Sequence, residues 1–244
     1  LISVLSLTEC PDFRGKSRVS MDEARVDFSV CMPIAPHVDF DNLLTSQKRD
    51  RRILPFTTVD FTRWDNAIDR LKDDIKRGAW GLKLHPVIQS VSPDDRRMFE
   101  ALQVFSSLGK PVLTHAGVAS YYLKKDSGRN VPEYGRIYLI EALVKTFPDI
   151  RFIIGHGGLF QWAEVIKRLR GCHNVWFDTS FQSSRRIKKL VEAFGDEKVM
   201  YASDWPFGNR IPALRAVRMA CRGSKALEER LLFHNARDLL GLKI

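Results

Sequence analysis

Short apolar runs, each ending in a polar residue and a turn, recur along this chain with helix-like stretches between them. Trp80 to Pro86 reads WGLKLHP, Pro111 to Gly117 PVLTHAG, Arg151 to Gly158 RFIIGHGG and Val199 to Pro206 VMYASDWP. Each has a body of Val, Ile, Leu or Phe, as a buried strand requires, and a Gly or Pro that ends it. Val26–Ile34, Arg52–Asp60 and Val175–Ser180 add three strands of the same kind, seven in all. An eighth has to come from Leu1–Leu7. Between the strands, Phe61–Arg77 places Trp64, Ile68, Leu71 and Ile75 at spacings of three and four, one face of a helix. Ser92-Pro93 predicts a helix start, Met98, Leu102 and Phe105 line that helix, and Gly109 stops it. Further helices are expected over Pro132–Phe147, Leu159–Leu169, Arg185–Phe194 and Ala226–Leu240.

Strands that alternate with amphipathic helices argue for a parallel sheet, because parallel neighbours need a crossover. The expectation is one α/β domain over residues 1–244, a TIM (β/α)8 barrel, a fold that needs about 250 residues. The long polar stretch Ala119–Val131 follows the His115 strand and reads as a loop or lid over the mouth.

With 44% hydrophobic and 28% charged residues the composition is that of an ordinary soluble domain. The formal charge of +10 prompts a search for a basic patch. Basic pairs such as Lys48-Arg49, Arg96-Arg97 and Arg185-Arg186 are scattered, so solvated helix faces are expected rather than a nucleic-acid surface. Part of the charge could draw an acidic small-molecule substrate. The four cysteines show no CxxC spacing, which points to a reducing compartment and a cytoplasmic location. No apolar run approaches the roughly 18 residues of a membrane span. Leu1–Leu7 lacks a basic leader and a cleavage site, so it does not read as a signal peptide.

His115, His156 and Asp204 share one position, the tip of a strand. In a barrel, strand tips gather at one mouth, where active sites are built. Two imidazoles and a carboxylate suit a divalent metal, which polarises a carbonyl or acidifies water while a neighbouring His or Asp moves the proton. Each residue also has a plainer reading, as a hydrogen-bonded structural His or a turn-capping Asp. Three such accidents at three strand tips are harder to accept than one site. Lys83 and His85 share strand parity, so their side chains leave on the same face. If that face is inward, they are placed to bind an anionic substrate. His37, His173 and His234 read as structural, His37 with the least security.

These segments resemble the amidohydrolase superfamily, specifically its amidohydrolase 2 branch of aminocarboxymuconate-semialdehyde decarboxylase-like enzymes. The resemblance rests on GLKLHP at Gly81, PVLTHAG at Pro111, FPDIRFIIGHGG at Phe147, VWFDTS at Val175 and YASDWPFG at Tyr201. MDEARVDFSVCMP at Met21 and LLFHNARDLLGL at Leu231 extend it over almost the whole chain. It implies a metal-dependent hydrolase or nonoxidative decarboxylase, a carbon–carbon lyase, acting on a small carboxylated, amide or lactone substrate. It makes His115 and Asp204 metal ligands, His156 a ligand or the catalytic acid/base, and Asp204 a helper in activating water. Lys83 and His85 would line the substrate pocket. The metal would be zinc, or manganese, and a homodimer becomes plausible.

One departure stands out. The family's first strand carries His-x-His, two metal ligands, where LISVLSL places Leu5 and Leu7. The first strand is therefore atypical, or the sequence begins after the ligand-bearing strand; the second reading is preferred. If the ligands are absent, the rival is a degenerate barrel without bound metal that binds a ligand or partner without turnover.

Overall fold

The structure, a computed structural model, describes residues 2–7, 13–122, 128 and 130–243. In chain order its first elements are β1 (Ile2–Leu7), α1 (Phe13–Ala24), β2 (Phe28–Pro33), α2 (Phe40–Arg49), β3 (Ile53–Pro55), β4 (Thr57–Thr58) and α3 (Ala67–Lys76). There follow β5 (Leu82–Leu84), α4 (Pro86–Gln89), α5 (Arg96–Ser106), β6 (Val112–Thr114), α6 (Ile137–Thr146), β7 (Phe152–Ile154) and α7 (Trp162–Leu169). The chain closes with β8 (Val175–Asp178), α8 (Ser184–Phe194), β9 (Val199–Met200), α9 (Arg210–Cys221), α10 (Lys225–Glu229) and α11 (Asn235–Leu240).

Every strand pairing among the described residues is parallel, in the orders β1-β2-β3 and β4-β5-β6-β7-β8-β9. β3 and β4 are halves of one stave. At Phe56 the segment changes partner: Phe56 N–H donates to Cys31 C=O at 2.9 Å, and Thr57 N–H to Gly81 C=O at 2.9 Å. Counted this way the chain supplies eight staves, the number of a (β/α)8 barrel. β1 is the first, paired to β2 from Ile2 opposite Phe28 to Leu7 opposite Pro33. The place beside β2 is taken by Ile2–Leu7. No ladder joins β9 to β1 among the described residues. At that seam the Arg230–His234 turn lies against both strands, and Tyr201 N–H donates to Leu231 C=O at 2.8 Å.

Strand alternation sorts side chains into two cores. Leu82, Leu84, Val112, Phe152, Ile154, Val175, Phe177 and Val199 pack outward under the helices. Val30, Met32, Leu54, Phe56, Leu113, Ile153, Met200 and Ala202 fill the barrel axis. Ala236 and Leu239 of α11 join this inner core, together with Phe28 and Trp80 near strand starts. The closing helix therefore seals the strand-start end, and the strand tips are left as the open mouth.

Several elements differ from expectation for local reasons. α5 begins at Arg96, not at Ser92, because the Asp95 carboxylate accepts the Arg97 N–H at 2.8 Å and caps it. Phe61–Asn66 is a tight turn broken at Arg63 (φ −124°, ψ 55°), and α3 starts only at Ala67. Pro132–Gly135 is likewise a single tight turn ahead of α6, separated from it by the extended Arg136. The tail helix splits at the wide turn Arg230–His234. Among the described residues no helix is long and apolar enough to cross a membrane.

Candidate active site at the strand tips

Because Leu82 and Leu84 face the helices, Lys83 and His85 face the axis. One stave on, His115 stands just beyond β6, its N–H bonded to Leu84 C=O at 3.0 Å. Its ring stacks on His85, with centroids 4.2 Å apart and planes 6° from parallel. His156, beyond β7, lies 5.2 Å from His115 between ring centroids. Three imidazoles from three adjacent staves are thus buried side by side. Asp204, after β9, shares a pocket wall with His85 and His156. Of the five residues singled out in the sequence, His85, His156 and Asp204 thus line one pocket, while His115 and Lys83 are buried and off its wall.

The loops hold these groups in unusual backbone shapes. His156 (φ 55°) and Asp204 (φ 53°) are left-handed, a region few residues other than Gly enter. His156 is fixed there from several sides. Its N–H donates to Asp178 Oδ2 at 2.9 Å, its carbonyl accepts from Gln182 Nε2 at 2.5 Å, and its Nδ1 lies 2.7 Å from Ser180 Oγ. Gly158 follows at φ 84°, where a Cβ would stand 2.4 Å from Val165 Cγ2, so the turn admits only glycine. Asp178 also accepts from Ser180 N–H at 3.0 Å and from its hydroxyl at 2.5 Å. Sequence reading missed Asp178 and Ser180 because VWFDTS ends without a Gly or Pro, although Asp178 is itself a strand-tip acid.

Burial dominates the electrostatics. It holds His85 and His115 well below the usual imidazole range and pushes His156 down to about 3, so all three rings are neutral at neutral pH. Lys83, only 1% exposed, is pulled down to about 8 by burial, against the opposing pull of Asp204 and Asp178. Burial raises the Asp178 carboxyl, while its bonds to Ser180 and the His156 N–H pull it back.

The mouth opens into a pocket of about 580 Å³, within the range of small-molecule sites. Lys83 is not on the wall of this pocket, and its charge is felt by Asp204 and Asp178. Phe160, Phe181 and Phe207 rim the opening and are 80%, 50% and 56% exposed. Tyr121 and Tyr122, from the start of the stretch expected to form a lid, also line it; residues 123–127 and 129 of that stretch lie outside the described residues. The Tyr121 hydroxyl sits 3.2 and 3.3 Å from the two ring nitrogens of His115. His37, expected to be structural, lies on the pocket wall, with the Tyr122 hydroxyl 3.4 Å from its Nε2.

Among the described residues no three His, Cys, Asp or Glu side chains are already arranged to hold a metal ion. The donor chemistry nonetheless suits one. Imidazoles kept neutral by burial expose the lone pairs a divalent ion takes, and a carboxylate shares their mouth. β1 adds no donor, since ISVLSL contains no His, Cys, Asp or Glu.

A comparison with curated proteins finds no match. Among solved structures, 5-carboxyvanillate decarboxylase from Sphingomonas paucimobilis superposes with a TM-score of 0.75 at 16% identity, over 99% of this chain and 98% of that one. A dihydroxybenzoic acid decarboxylase from a Polaromonas species, solved with manganese and the inhibitor 2-nitroresorcinol, gives 0.76 at 14%, over 100% and 97%. A TIM-barrel protein from Bordetella bronchiseptica gives 0.75 at 14%, over 99% of each chain. At such identities the likeness is one of fold, and that fold is the TIM barrel. The amidohydrolase family itself matches residues 7–242. With eight parallel staves, strand-tip histidines and a match over nearly its whole length, the chain belongs to the amidohydrolase family of enzymes.

Proposed function

We propose that this protein is a metal-dependent hydrolase or nonoxidative decarboxylase acting on a small carboxylated, amide or lactone substrate. One observation carries the reading: His156 and Asp204, from two separate staves, line one pocket, and the His115 ring of a third stave stands 5.2 Å from that of His156, in a chain of this family. His115 and Asp204 would hold the ion, with His156 as a further ligand or as the proton carrier. A divalent metal there supplies Lewis acidity toward a substrate oxygen. The solved relative that holds manganese supports a divalent ion in this fold.

The chain's own groups do the rest. His156 is neutral at neutral pH, so its first act is to accept a proton, and its ring meets the pocket where a ligand would lie. Lys83, itself buried, offsets the charge of Asp178 and Asp204. His85, on the pocket wall, offers a polar contact to a ligand. Phe160, Phe181 and Phe207 present flat apolar faces suited to a planar substrate and exclude water once one is bound.

The test is a metal titration of the purified chain followed by two assays, CO2 release from hydroxylated aromatic acids and hydrolysis of lactones and amides. Near-stoichiometric zinc or manganese and metal-dependent turnover of one class are expected. Full activity in a His115→Ala variant, or no metal binding at micromolar concentration, would rule the reading out.

A further inference from the structure

We propose that hydrogen bonds within the site lock the three imidazoles into fixed tautomers, that of His156 opposite to those of His85 and His115. His85 can then only donate to a ligand, while His115 and His156 each keep a lone pair. The proposal refines the function above and rests on it only for the use made of those lone pairs. The tautomers themselves stand on geometry.

His85 is the N-cap of α4, and its Nδ1 accepts the Ile88 N–H at 3.3 Å. A ring nitrogen that accepts cannot carry the proton, so neutral His85 bears it on Nε2. Its one lone pair is spent on the helix, which excludes it as a metal ligand. His115 Nε2 lies 2.9 Å from Gly117 C=O, an acceptor only, so this nitrogen donates. The lone pair of His115 is then left on Nδ1, and the Tyr121 hydroxyl, 3.3 Å from Nδ1 and 3.2 Å from Nε2, is not committed to it.

His156 is set the other way. Asp178 takes N–H bonds on both carboxylate oxygens, and at 2.5 Å it also takes the hydroxyl proton of Ser180. Ser180 Oγ has then given up its only proton and must accept from His156 Nδ1 at 2.7 Å. The His156 proton sits on Nδ1 and the lone pair on Nε2. Ser180 and Asp178 are therefore positioning residues, acting on the reaction through His156. A ligand atom facing His85 has to be an acceptor, such as a carboxylate or carbonyl oxygen. One facing His156 has to be a proton donor or a cation.

The experiment is a set of long-range proton–nitrogen spectra of the full chain labelled with 15N-histidine, chelator-treated and at neutral pH. Signals are assigned from single His→Asn variants. Expected are Nε2–H forms for His85 and His115 and an Nδ1–H form for His156. In Ser180→Ala the His156 signal should change from one tautomer to a mixture, with the other two rings unmoved. Ser180→Thr, which keeps the hydroxyl, should restore the single form. An Nε2–H form for His156 in the wild type, or a Ser180→Ala spectrum identical to wild type, overturns the proposal. So does a His85 nitrogen that coordinates added zinc. If zinc moves none of the three rings, the metal reading fails while the tautomer assignment stands on the wild-type spectrum.

Discussion

His156 concentrates the site's chemistry in one residue: a left-handed backbone, a ring proton handed toward Ser180 and a base strength suppressed by burial. Loss of a positioned general acid–base group costs roughly 10²–10⁴-fold in rate, so His156→Asn, a residue that tolerates the left-handed backbone, should lose that much kcat while still unfolding in one cooperative urea transition. Outer partners of such sites matter less but measurably. Asp178→Asn should weaken metal affinity or activity by about 10–100-fold, read by metal titration. The same burial makes the metal-free chain acid-sensitive. Unfolded imidazoles titrate near about 6.5. Folded His156 titrates at about 3, and His85 and His115 also lie well below the ordinary value. Across that window the unfolded state binds more protons. The stability contributed by the neutral rings is therefore whole above about pH 6.5 and is lost as pH falls toward 3. Urea midpoints at pH 7.5 and 5 check this; an unchanged midpoint would contradict it.

At the scale of elements, strand bodies were legible because a buried parallel strand needs a continuous apolar run, and four of them ended in a chemically active side chain. The partition of β3 and β4 at Phe56 and the cap of α5 were not legible. They depend on which neighbour supplies a hydrogen bond, and that is decided in three dimensions. Ser92-Pro93 offered a good helix start, yet the chain spends two more residues in a turn before Asp95 takes the Arg97 N–H. Asp95→Ala should accordingly cost about 1 kcal/mol in a denaturation curve. At Gly158 the backbone is left-handed and Val165 fills the space a side chain would need. Gly158→Ala should cost roughly 1–3 kcal/mol from strain alone and disturb His156 two residues away. Of the site, the three ligand-type residues were visible as strand tips. Asp178 was hidden by a turn without Gly or Pro, and the tautomers were hidden because they belong to partners distant in sequence.

In the whole molecule, the two ends of the barrel do different work. The strand-start end is packed by α11, where Leu239 is 4% exposed within the inner core. Leu239→Ala should cost about 2–5 kcal/mol, seen as a lowered thermal midpoint, without altering the affinity of the distant mouth for metal. The other end is open, and three of its loops are built alike. Phe160, Phe181 and Phe207 each stand three or four positions past His156, Asp178 and Asp204, on separate connections. The reactive groups are anchored to staves while the bulky gatekeepers ride on turns that share no backbone with one another. Exchange of Phe160 or Phe207 for a smaller side chain would re-cut the entrance while leaving His115, His156 and Asp204 where they are, whereas Phe181 packs on His156, 5.4 Å between ring centroids. Substrate range in this barrel can thus drift loop by loop, with the reaction itself held constant.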